Sequence, residues 1–78
     1  MFNPAAPVLV YQHDENHSLL EGTCSKIDFE SRRVDVRLLV SNTIISSSFR
    51  DVMEVGQFGC HGIDFRSPNA DHLDRYVA

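Results

Sequence analysis

Seventy-eight residues with a net charge of −4, two cysteines and no tryptophan allow one domain, since halves of such a chain could not each bury a core. An apolar fraction of 42% excludes wholesale disorder, and no apolar run approaches the roughly 20 residues that span a bilayer. No signal-peptide pattern opens the chain, two cysteines make no disulfide framework, and the acidic balance argues against a duplex-DNA binder, so a reduced, cytoplasmic protein is expected.

Residues 1–7 hold two prolines and three small residues and read as a flexible lead-in to a single domain over 8–78. Residues 8–11, Val-Leu-Val-Tyr, are β-prone, and 13–17 form a polar turn. Over 23–29, Ser25, Ile27 and Phe29 share one face while Lys26 and Asp28 take the other, the period of a half-buried strand. Residues 30–32 serve as a hairpin connection. The clearest strand is 33–40, with Val34, Val36, Leu38 and Val40 inward against Arg33, Asp35, Arg37 and Leu39.

Ser41 and Asn42 suit a two-residue turn. A long extended stretch, 43–55, loses its alternation at Ser46-Ser47-Ser48, where a β-bulge would keep Ile45 and Phe49 inward. Gly56 marks a reversal, and 57–65 is a last strand with Ile63 and Phe65 inward. The period then changes. Ser67 can cap a helix, Pro68 suits its first position, Asp71 and Asp74 favour its start, and Ala70, Leu73 and Val77 form a stripe beside Tyr76. Asp71 and Arg75, four apart, would pair across one turn.

These elements predict a mainly β protein: a small antiparallel five-stranded, barrel-like meander with a short C-terminal α-helix as its lid. Leu39 and Phe58, with Val52 beside them, face outward and mark a surface for a protein partner, a second copy or a larger assembly.

Six of the seven basic residues are arginine, and Arg32, Arg33 and Arg37 lie close together. Their planar forks suit phosphate, carboxylate or base edges, so an acidic chain can still hold a local anion site; pairing with Glu30 and Asp35 on a solvated face is the plainer alternative. His13, His17, Cys24, Cys60, His61 and His72 are metal-ligand types, but adjacent Cys60 and His61 point to opposite faces of a strand. No metal site or cofactor is expected, and the cysteines read as small apolar fillers. No spacing selects a nucleophile, base and orienting group, so no catalytic residue and no enzyme activity are expected.

Gly62-Ile63-Asp64-Phe65, a turn, and then Leu73-Asp74-Arg75-Tyr76-Val77 resemble the end of a PilZ domain. The resemblance implies a barrel filled by Phe65 and closed by the helix stripe, in a non-catalytic regulatory or protein-interaction module. Arg33-Val34-Asp35-Val36-Arg37 satisfies the family's R-x-x-x-R segment, and the stretch from Asp51 to Gly56 keeps its Asp and Gly with Met53 in place of Ser. Cyclic di-GMP is the ligand this implies, at Arg32, Arg33, Arg37, Asp51 and Gly56. Leu20-Glu21-Gly22 followed by Asp28 and a strand ending near Leu38 also resembles the first motif of Sm-like barrels, where the glycine lets a strand bend and the Asp orders a loop. That alternative, an Sm- or SH3-like barrel, implies RNA at Arg32, Arg33 and Arg37.

Overall fold

Alternating burial along short β-branched runs generates the architecture seen in the computed structural model, which describes residues 4–66 and 71–77. The strands are β1 (Val8–Tyr11), β2 (Leu19–Asp28), β3 (Arg33–Leu38), β4 (Ile44–Ser48), β5 (Val52–Gly56) and β6 (Gly59–Gly62). They form one antiparallel six-stranded sheet in the order β4-β3-β2-β1-β5-β6. β1 to β4 run as a meander, and β5 then crosses to the free side of β1. Val8, Val10, Cys24, Val34, Val36 and Val52 are wholly buried and form the core with Phe65, Leu73 and Tyr76. Each buried valine contributes on the order of 1.5–3 kcal/mol relative to an exposed one.

Several expectations need correction. The sheet has six strands rather than five and is open rather than closed into a barrel: β4 and β6 are its edges. The proposed strand over 57–65 is cut short because Gln57 and Phe58 form the turn of the β5–β6 hairpin, leaving four residues, two of them glycine, in β6. Side chains join the two ends of the sheet instead. Phe49, just after β4, stacks on Phe65, beyond β6, with centroids 4.3 Å apart, and Phe29 meets Phe49 edge-on at 5.9 Å.

No bulge occurs at the serine triplet. The β3–β4 register is continuous, and Ser47 is itself buried in phase with Ile45. A 3₁₀ turn at Phe49–Asp51, capped by the Ser48 hydroxyl, separates β4 from β5. The register shift lies instead in β2, between Cys24 and Lys26. It moves the inward phase from Gly22 and Cys24 to Ile27 and Phe29.

The β3–β4 connection is longer than Ser41-Asn42, because Leu38 pairs with Thr43, and Val40 is exposed in that turn rather than inward. Val52 is wholly buried, not outward. Among the described residues there is no α-helix. Asp71–Arg75 is a 3₁₀ turn, and Ser67, Pro68 and Ala70 of the expected helix lie outside the described residues. Its apolar stripe still docks: Leu73 and Tyr76 are buried, and Val77 bridges to Cys24. Arg75 pairs with Glu54 of β5 rather than with Asp71. Among the described residues, no helix is long and apolar enough to cross a membrane.

Candidate ligand groove

A groove of about 990 Å³ opens where the two ends of the sheet meet through side chains alone. Its walls are the β2–β3 loop, the 3₁₀ turn after β4, and the segment that follows β6. Phe29, Phe49 and Phe65 line it together with four arginines, Arg32, Arg33, Arg50 and Arg66.

The loop that carries Arg32 is built by Asp28, whose Oδ1 accepts from the backbone N–H groups of Glu30 at 3.0 Å and Ser31 at 3.3 Å. Those bonds hold the Asp28 carboxyl below the usual carboxylate range. Arg32 then takes a left-handed backbone, φ 57°, uncommon for a side chain of its size, and its carbonyl accepts from Phe49 N–H at 3.2 Å. This bond fastens the arginine loop to the 3₁₀ turn. Arg50 stands on that turn, with its N–H donating to Ser48 Oγ.

The four guanidinium groups differ in what holds them. Arg66 is locked onto Asp64, with Nη2 to Oδ2 at 2.6 Å and Nε to Oδ1 at 2.9 Å. The Arg66 guanidinium accordingly lowers the Asp64 pKa, and Asp64 raises that of Arg66. Arg33 donates to Ser46, from Nη2 to the carbonyl at 2.8 Å and from Nε to the hydroxyl at 3.2 Å. The exposed guanidinium groups of Arg32 and Arg50 line the groove with no side-chain hydrogen bond to any of the described residues. Asp51 bonds His13 Nε2 across the groove wall at 3.0 Å.

The structure thus gathers Arg32, Arg33 and Asp51 and separates Arg37 and Gly56 from them. Arg37 projects from the outer face of β3, where its Nη1 lies 3.5 Å from the Asn42 carbonyl. Gly56 pairs with Gly59 in the β5–β6 hairpin. Four residues along a strand carry Arg37 about 13 Å from Arg33, so only the first arginine of the R-x-x-x-R segment lines this groove. Leu39, 59% exposed, and Phe58, 96% exposed, occupy two different turns.

Arg50, Arg66 and the three phenylalanines were missed by motif reading. The recurrence of Phe-Arg at 49–50, directly after β4, and at 65–66, three residues past β6, was the signal available. Of the metal-ligand types, Cys24 is buried, its thiol pushed up to about 11 by burial, whereas Cys60 is exposed and is no core filler. No cluster of three or more His, Cys, Asp or Glu able to hold a metal occurs among the described residues.

In comparisons with protein families, curated proteins and solved structures, nothing matches the chain. The residues themselves must carry the reading.

Proposed function

We propose that this protein is a non-catalytic, PilZ-like regulatory module that binds a phosphate-bearing cyclic dinucleotide, cyclic di-GMP being the lead ligand, in the arginine groove. The observation that carries the reading is the gathering of Arg32, Arg50 and Arg33 with three phenylalanines around one groove, Arg32 and Arg50 having no side-chain hydrogen bond to the described residues. Guanidinium forks hold phosphate oxygens in paired, charge-assisted bonds and stack on flat bases. The volume suits a ligand of dinucleotide size, near the upper end of small-molecule pockets. The burial of Phe65, Leu73 and Tyr76 also supports the PilZ-like reading, since the residues that carry the resemblance pack into the core, although the sheet is open and a 3₁₀ turn stands in place of the helix. On this reading Arg50 takes the place of Arg37 beside Arg32 and Arg33 in the phosphate contacts.

Isothermal titration with cyclic di-GMP tests the assignment. Saturable heat is expected at micromolar concentrations, with affinity about tenfold or more weaker in Arg32→Ala and Arg50→Ala and unchanged in Arg37→Ala. Absence of heat at tens of micromolar, or equal loss in Arg37→Ala, would sink it.

A second reading, an Sm-like RNA binder, is favoured by two local features. Gly22 is buried and pairs with both Val8 and Leu38 at the point where β2 turns from one neighbour to the other, and Asp28 orders the following loop. In that case an oligouridine strand is retained in a salt-dependent manner, and Arg33→Ala reduces retention.

A further inference from the structure

The outer edge of β4, Ile44–Ser48, carries no charge, proline or bulge of its own, and it pairs with β3 without a register shift. Natural edges are normally blunted by such devices, because unpaired N–H and C=O groups invite another strand. The free groups can be assigned. Leu38 N–H donates to Thr43 O at one end of the β3–β4 pair, and Phe49 N–H donates to Arg32 O at the other. Alternation along an antiparallel ladder then turns the backbone groups of Ile44, Ser46 and Ser48 toward the open side.

One of these groups is covered. Arg33 reaches across β4 to bond the Ser46 carbonyl and hydroxyl, which places a guanidinium on the edge itself. Arg37 stands opposite Ile44 on the same outer face. Exposed Leu39, Val40 and Ile44 supply an apolar seat at the start of the strand.

We propose that this edge accepts an extended acidic peptide segment of a partner protein as a seventh, antiparallel or parallel strand. Its main chain would pair with Ile44, Ser46 and Ser48, and its carboxylates would draw Arg33 from the Ser46 carbonyl and meet Arg37. Charge selects this occupant over a second copy: Arg33 and Arg37 outnumber Asp35, which stands opposite Ser46 between them, and two β4 edges laid together would double that positive excess on one seam. The edge shares Arg33 with the nucleotide groove, but Ile44, Ser46 and Arg37 lie outside that groove, so Arg37→Ala and Ile44→Glu report on the edge alone.

The probe is a fluorescein-labelled hexapeptide of alternating glutamate and valine, with a lysine–valine counterpart, followed by anisotropy. Saturable binding of the glutamate peptide alone is expected, weakened about two- to fivefold by Arg37→Ala and at least about tenfold by Ser46→Pro. Proline fits at Ser46 because that N–H faces away from β3, and a thermal melt checks that the variant folds. Ile44→Glu, which leaves the ladder intact and repels the peptide, must also abolish binding. No saturation by the glutamate peptide at millimolar concentration, or equal binding of the lysine peptide, overturns the proposal. So does a concentration-dependent dimer that Ile44→Glu dissolves, which would assign the edge to a second copy.

Discussion

Glu54 accepts from the Tyr76 hydroxyl and from Arg75 Nη2, and its other oxygen lies 3.4 Å from His61 Nε2. One β5 carboxylate therefore clasps the C-terminal turn, while Tyr76 is itself 1% exposed. The Tyr76 hydrogen bond, followed by the charges of Arg75 and His61, holds the Glu54 pKa below its usual value. A lowered folded-state pKa means that the unfolded chain binds the proton more readily. The contribution to stability is therefore complete above the unfolded value of about 4.3 and is lost as pH falls through the folded value. Asp14, Asp28 and Asp64 shift in the same direction and add to the same acid limb. Thermal melts from pH 3 to 8 should give a melting temperature that falls steeply in acid. Glu54→Gln should be less stable than the parent at neutral pH and converge on it at the acid end. A constant gap at every pH would show that packing, not charge, is what Glu54 supplies.

At the scale of elements, periodicity was legible wherever one strand faced one core. β3 was readable because Val34 and Val36 alternate with Arg33, Asp35 and Arg37 and nothing interrupts them. β2 was harder to read because it changes partner and phase within ten residues. Its upstream half pairs with β1 and its downstream half with β3, and the shift after Cys24 breaks the alternation that would have revealed its full length. The C-terminal turn kept its helical stripe in the sequence, but burial of Leu73 and Tyr76 needs only one short turn. Gly22 is where the β2 geometry is tested. A Cβ there would collide with the Arg37 carbonyl oxygen and lie 2.7 Å from Val36 Cγ1, and a backbone atom cannot swing aside as a side-chain tip can. Gly22→Ala is expected to cost about 2 kcal/mol or more in urea unfolding, at the upper part of the overpacking range. A loss below about 0.5 kcal/mol would mean that β2 and β3 separate at little cost there.

For the whole molecule, the decisive feature is that the sheet stays open while three phenylalanines draw its ends together. Sequence reading recovered the β class and part of the groove, Arg32, Arg33 and Asp51, because a strand pattern and a local charge cluster are both short-range properties. It could not recover Arg50 and Arg66. Their meeting with Arg32 depends on the contacts of Phe49 with Phe29 and Phe65, which join residues far apart in the chain. A groove built this way should be stiffened by whatever bridges its walls. At one hundred times its dissociation constant, a ligand that binds only the folded state adds about 2.7 kcal/mol. For a domain of this size that raises the melting temperature on the order of 10 °C. Cyclic di-GMP should produce this rise in the parent protein and in Arg37→Ala, and little of it in Arg32→Ala or Arg50→Ala at the same concentration. A rise with oligouridine that fades as salt increases would transfer the groove to the RNA reading. A melting temperature indifferent to both ligands would leave the four arginines as surface charge.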